Sequence, residues 1–385
     1  MKILMVSMFA NHFFNWVDQL KASHHEVLWI DVFDNGKKVE KIEWVQQTVN
    51  WKRKFDYPGR QFLKKNFNYA YNVLSEIFEK KLAEIFEEKL VEFKPDVVQS
   101  FVLFSACAPI LNVMKKYPEV RWIYSAWGND LYYFQNEIAY LKDIKNVLPY
   151  VDYMFADCKR DYHIALKYSF QGEFLGDFPG GGGYELDKNK KLLMPKERNA
   201  ILVKGYQDLF GECIPVLKVL QNLREKLDSF EIIIFGADSQ VVVYAEESGM
   251  TNWSNFAIFG NIGRREVMDL MERSRIYIGN SISDGMPNTL LEAIISGAFP
   301  IQSNPGGATA EIIEDRLNGF LIEDPLDLES ISDLIIRSLG DIEVLNRAYS
   351  YNQEKIRPKL ERSYVKKKVL EKYNKVESEV ISING

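Results

Sequence analysis

Short apolar runs, each about the length of a strand, recur along the chain with helix-like stretches between them. This alternation narrows the fold more than any other feature. Residues 1–7 are broken only by Lys2, which suits a strand buried on both faces of a parallel sheet. A helical pattern follows (Phe13, Phe14, Val17, Leu20), and then 26–31, 96–99 and 121–125 read as further strands. The same rhythm restarts later, with strands expected at 200–203, 231–235, 256–259, 276–278 and 298–301. Strands alternating with helices in this way build a doubly wound, mostly parallel α/β sheet. Here the pattern occurs twice.

Between the two runs the periodicity breaks. Residues 178–193 contain Pro179 and four consecutive glycines from Gly180 to Gly183, followed by the polar, charged stretch 187–191. Segments with so few packing side chains serve as linkers. A chain of 385 residues also exceeds one ordinary core. The expected organisation is a first Rossmann-like domain over 1–180 and a second over 181–345. A helical tail over 346–385, highly charged and free of glycine from 345 to 375, is expected to pack back towards the first domain.

Composition removes several function classes. Hydrophobic residues at 46% and charged residues at 26% describe a globular protein. A formal charge of -6 argues against general nucleic-acid affinity, which needs clustered Lys and Arg. Cys107, Cys158 and Cys213 form no CxxC pair, so zinc ribbons and thioredoxin-like sites are excluded, and scattered thiols fit a reducing compartment. The first apolar run is too short to span a membrane, and the expected location is cytoplasmic. Aromatic residues reach 13%, mostly as core.

The chemistry concentrates between residues 276 and 319. A strand at 276–278 leads into a loop at 280–286, and Pro287 stands where a first helical residue would, losing no hydrogen bond there. The helix ends at Gly297, a strand returns, and a second loop carries Gly306 and Gly307. Both loops then lie at the carboxyl edge of a parallel sheet, where such folds bind ligands. The amides of Asn288, Thr289 and Leu290 lack helical acceptors and suit an anion such as a diphosphate. Glu292 lies on the same helix face one turn inside and can accept from both hydroxyls of a ribose, while Asp284 reaches the other side of the anion. The two glycines allow close backbone approach.

The run from Asp284 to Glu292, with Gly297, Gly306, Gly307, Glu311, Asn318 and Gly319 in step, resembles the donor site of retaining family-4 glycosyltransferases. The resemblance implies a GT-B fold, two Rossmann-like domains facing across a cleft that holds the active site. The family pattern places two acids with seven residues between them; Asp284 stands where Glu is more usual. By resemblance, Glu292 binds the donor ribose, Asp284 contacts the transferred hexose, and Gly285, Met286, Pro287, Asn288, Thr289 and Gly306 line the donor. The segment with Lys204 and Gly205 stands where the family places an Arg and a Lys on the diphosphate, of which only Lys204 is available here, with Gly205 beside it on the donor; Gly260 and Arg264 lie where the family contacts the base. In the first domain, Trp127-Gly128-Asn129-Asp130 resembles the family's HGxD loop, with Trp127 in place of His, and Gln99 and Phe101 stand where His is usual. Asp130 and His12 are the acceptor-side candidates.

The implied activity is transfer of a hexosyl unit from a UDP- or GDP-sugar to a glycan or lipid-linked acceptor in cell-surface polysaccharide or glycoconjugate synthesis. No cofactor is expected, and no metal, since no His/Cys/Asp cluster shows ligand spacing in the sequence. The stretch 36–65 carries nine basic residues against Glu40, Glu43 and Asp56, a net +6 interleaved with Trp44, Trp51, Phe55 and Tyr57. Such a patch suits the anionic inner face of a membrane at about 1 kcal/mol per basic residue. A solvated loop and helix face is the competing reading of that stretch. A nicotinamide-dependent dehydrogenase would need GxGxxG after a strand, which neither half supplies. A sugar-nucleotide epimerase of the same fold and a non-catalytic nucleotide-sugar binder remain as alternatives.

Overall fold

A computed structural model describes residues 1–53, 65–67, 78–187 and 189–384. They divide into two compact units. The first comprises 1–156, 161–182 and 368–385, and the second 157–160 and 183–367.

The first unit is built on seven parallel strands: β1 Lys2–Ser7, β2 Glu26–Asp31, β3 Gln46–Thr48, β4 Val97–Phe101, β5 Arg121–Ser125, β6 Tyr153–Ala156 and β7 Glu173–Asp177. Their order is β3-β2-β1-β4-β5-β6-β7, so the chain reverses direction across the sheet between β1 and β4. Leu4, Val6, Leu28, Ile30 and Val98 fill one side together with Ile110, Val113 and Trp122. Elsewhere in this unit the aromatic surplus packs ring on ring: Trp16 meets Phe155 and Phe13 meets Phe101 edge to face at 5.2 Å, and Phe13 meets Trp29 in a tilted pair at 5.2 Å. One buried polar chain runs through these rings. Trp16 Nε1 donates to the Tyr373 hydroxyl (3.0 Å), which donates to Gln99 Oε1 (2.6 Å), and Gln99 Nε2 donates to Ser125 Oγ (3.0 Å). Every buried polar atom of that chain has a partner, as the interior requires, and Tyr373 comes from the last helix, Arg362–Asn384.

The second unit holds six parallel strands: β8 Ala200–Lys204, β9 Glu231–Phe235, β10 Phe256–Ile258, β11 Ser274–Gly279, β12 Phe299–Ser303 and β13 Phe320–Ile322. The order β10-β9-β8-β11-β12-β13 puts the reversal between β8 and β11. Fully buried Ile201, Val203, Ile232, Ile234, Ile276 and Ile278 form its central layer. Helices follow from 328 onward, as the charge and helical pattern of that region imply.

Nine strands lie where the apolar runs predict them, within one to two residues. β3, β6, β7 and β13 are additional. Two are only three residues long, β3 is wholly polar, and β7 carries Gly176 at φ 132. Such strands are stabilised by a paired neighbour and give no periodic signal of their own. Among the described residues, no helix is long and apolar enough to cross a membrane.

Candidate functional site

The carboxyl edge of the second sheet gathers the predicted donor residues at its reversal point, where doubly wound sheets open a crevice. β8 ends on Lys204, and β11 leads into the loop that carries Asp284. The helix after that loop spans Asn288–Ser296 and ends on Gly297 in the left-handed conformation (φ 81). Pro287 takes the N-cap place with φ -64 and ψ 120 and is not the first helical residue the sequence suggests; that place falls to Asn288. Its extended ψ keeps it outside the helix, and its carbonyl accepts the first helical bond, from Leu291 N at 3.2 Å. The amides of Asn288, Thr289 and Leu290 therefore precede every intrahelical acceptor.

Two tyrosines fix the start of this helix. The Tyr184 hydroxyl donates towards the Asn288 carbonyl and lies 3.2 Å from both that oxygen and Asn288 Oδ1. The Tyr277 hydroxyl donates to Thr289 Oγ1 at 2.8 Å. Burial pushes both phenols up, so they stay protonated donors. Neither was expected from the sequence. Tyr277 looks like any strand aromatic, and Tyr184 follows the glycine run with no periodicity to mark it.

Each of the two acids has a cation beside it. Lys204 Nζ lies 3.9 Å from Asp284 Oδ2 and 4.5 Å from the centre of the Tyr206 ring. Arg264 Nε lies 3.3 Å from Glu292 Oε1, and its guanidinium stands over the Tyr184 ring at 5.7 Å. Glu292 is 9% exposed, and burial raises its pKa against the lowering pull of Arg264 and then Lys204. A carboxylate held this way, short of water and next to an exposed arginine, is ready to accept hydroxyl donors.

A buried arginine ties the two loops together. Arg160 Nη1 donates to the Asp284 carbonyl at 2.7 Å and to the Pro305 carbonyl at 2.8 Å. Glu311 accepts from the Lys159 and Arg160 amides at 2.7 Å each, so this acid caps the helix start at 159. Arg160 lies 124 residues before Asp284, and no motif in the sequence links them. Asn318 is likewise structural: fully buried, it accepts from Glu314 N and donates to the Ile312 carbonyl and to Asn352 Oδ1.

The predicted glycines serve different ends. A Cβ on Gly285 would sit 2.3 Å from Asp157 Oδ2, so the loop needs glycine to pass that carboxylate. A Cβ on Gly205 would come within 2.7 Å of the Ala237 Cα, where the ends of β8 and β9 close together. Gly306 and Gly307 adopt φ 61 and 86, and Gly260 faces open space. Met286 is half-buried against the core beneath the helix.

The acceptor-side candidates separate. His12 is exposed on the first turn of the Asn11–Asp18 helix, its ring 6.3 Å from Trp127. Asp130, by contrast, is 2% exposed. Its two oxygens accept from the Leu103 amide at 2.8 and 2.9 Å, and Oδ2 also accepts from the Tyr124 hydroxyl. The residue before Leu103 is Val102 at φ 70, a conformation that a β-branched side chain adopts only under constraint. Asp130 thus clamps a strained turn from inside the core, and a place among the reacting groups does not fit that burial. Gln99, where the resemblance puts His, is committed to the buried chain through Tyr373. Of the basic stretch 36–65, residues 54–64 lie outside the described residues, and Lys52 pairs with Glu79 at 3.7 Å.

Residues 188–355 match the family described as glycosyl transferases group 1. The sucrose-phosphate synthase of Thermosynechococcus elongatus superposes with a TM-score of 0.76 at 13% identity, covering 98% of this chain and 99% of that one. A TarM variant from S. aureus, in complex with fondaparinux, α-GlcNAc-glycerol and UDP, gives 0.68 at 11% identity, covering 97% and 99%. The lipopolysaccharide outer core galactosyltransferase WaaB gives 0.64 at 15% identity, with the same coverage. No curated protein sequence matches the chain. The architecture is therefore that of GT-B glycosyltransferases, and the second unit carries a group 1 glycosyltransferase domain.

Burial raises the Asp130 pKa to about 7, against the hydrogen bonds from Tyr124 and Leu103 that favour its charge. The unfolded group titrates near 4. Between these values the folded state holds the extra proton, so stability falls as pH rises from about 4 to about 7. Asp130→Asn should flatten that slope in denaturant midpoints compared at pH 5 and pH 8. An unchanged slope would refute the burial-driven shift.

Proposed function

With a group 1 glycosyltransferase domain as the starting point, we propose that the protein is a retaining hexosyltransferase. In this reading it takes a hexosyl unit from a UDP- or GDP-sugar and passes it to a glycan or lipid-linked acceptor. The observation that carries it is the arrangement around the Asn288–Ser296 helix: three amides without acceptors, flanked by the Lys204–Asp284 and Arg264–Glu292 pairs. A nucleoside diphosphate matches each part. Its phosphates meet the amides and the helix dipole, its ribose diol meets Glu292, and the hexose hydroxyls meet Asp284.

The chemistry asks for charge stabilisation. As the bond from the anomeric carbon to the diphosphate oxygen breaks, negative charge grows on the phosphates. Fixed amides and the Lys204 ammonium stabilise that charge more than they stabilise the ground state. Lys204 is then released from Asp284 to the phosphate oxygen, leaving the carboxylate to the sugar. This scheme uses no metal: helix amides and lysine supply the counter-charge. His12, exposed on the first unit, is the remaining acceptor-side residue. Two of the superposed structures, TarM with UDP and α-GlcNAc-glycerol and WaaB named as a galactosyltransferase, are in keeping with this donor and acceptor class.

In a thermal-shift panel of UDP, GDP and ADP, one nucleotide should raise the melting temperature in proportion to the logarithm of its concentration over Kd. Glu292→Ala should lose most of that rise. Asp284→Asn should keep it and lose about 10²-fold or more in transfer. A full shift in Glu292→Ala would remove the ribose assignment, and full turnover in Asp284→Asn the hexose one.

The charge of residues 36–65 supports docking on an anionic membrane surface. Lys52→Glu, Arg53→Glu and Lys54→Glu together should abolish sedimentation with phosphatidylserine vesicles; undiminished sedimentation would end that part of the reading.

A further inference from the structure

His24 and His25 lie on the connection that enters β2, and Glu377 lies on the Arg362–Asn384 helix. One ligand atom from each lies within 4.8 Å of the others. His24 Nε2 stands 2.8 and 2.7 Å from the two Glu377 oxygens, and His25 Nδ1 stands 3.8 Å from Glu377 Oε1. The Met1 backbone nitrogen also reaches the cluster, 2.6 Å from Glu377 Oε1 and 3.5 Å from His25 Nδ1. We propose that His24, His25 and Glu377 form a site for a divalent transition-metal ion of the zinc class, which fastens the terminal helix to the first unit's sheet.

The donor set favours this class. Two imidazoles and a carboxylate suit zinc, cobalt, nickel or copper, whereas calcium and magnesium take oxygen ligands. At zinc bond lengths near 2.0–2.2 Å, tetrahedral ligands stand about 3.3–3.6 Å apart. The separations from Glu377 run from 2.7 to 3.8 Å and every ligand pair lies within 4.8 Å, so side-chain rotations bring the three atoms to that spacing. The fourth position falls to water.

His25 is prepared for the role. Its side chain is fully buried. Its Nδ1 points at the cluster, while Nε2 is buried with no hydrogen-bond partner. The backbone here is also set: Ser23 Oγ donates to the Leu20 carbonyl (2.7 Å) and accepts from His25 N (3.3 Å). The His24 side chain is 65% exposed, which gives an ion its way in.

Position within the unit argues for a structural clamp. Met1 and His25 each directly precede a strand, β1 and β2, so the cluster lies at the amino edge of the sheet. Parallel α/β sheets place ligand chemistry at the opposite edge. A metal here would tie the two histidines to a residue more than 350 positions away in sequence.

The test uses the full chain without a polyhistidine tag, treated with chelator and titrated with Co²⁺. One equivalent should bind with the strong visible bands of tetrahedral cobalt, Zn²⁺ should displace it, and Zn²⁺ should raise the melting temperature. Loss of an outer partner of a metal ligand typically costs 10–100-fold in affinity, so loss of a ligand should cost at least about 100-fold. His24→Ala, exposed and safe for folding, should show that loss, and Glu377→Gln should show it without a change of shape. Absence of stoichiometric binding in the wild type, or unchanged affinity in His24→Ala, would overturn the proposal.

Discussion

A helix that starts after a proline opens with backbone N–H groups that have no acceptor of their own. In the second unit these belong to Asn288, Thr289 and Leu290, at the reversal point of the sheet. Much of the surrounding structure bears on keeping them in place. Two buried phenols hold Asn288 and Thr289, Arg160 fixes the carbonyls of the loops on either side, and the bare α-carbon of Gly285 lets the loop run close to Asp157. Open donors at a helix start, backed by its dipole, suit an anion as their partner.

The charges around these amides are balanced in pairs before any ligand arrives. Lys204 rests near Asp284 and Arg264 near Glu292. At 3.9 Å the first pair is loose, and exchange of its partner for a phosphate costs little compared with breaking a tight bidentate bond. The second pair couples an exposed arginine to a nearly buried acid, so the arginine is the member free to move. Preorganisation of this sort lowers the reorganisation cost when charge develops on a leaving group.

Much of this was legible in the sequence, for identifiable reasons. Strands buried on both faces announce themselves as apolar runs, and the Asp284-to-Glu292 stretch combines local signals, a proline, two acids and a terminal glycine, that fix one helix and its polarity. What escaped was long-range or weakly patterned. Arg160 acts on loops over a hundred residues away, Tyr184 carries no periodicity, and β3 and β13 are too short to signal alone. Asp130 shows the opposite failure. Its setting resembles a catalytic loop, yet the strained backbone at Val102 claims both oxygens, and only the packed structure reveals that demand.

The most direct measurement is an experimental structure of the protein with a bound nucleoside diphosphate. The account requires phosphate oxygens within hydrogen-bond distance of the amides at 288–290, with the ribose hydroxyls on the carboxylate at 292. A complex in which those amides face bulk solvent while the phosphates lie elsewhere would contradict it.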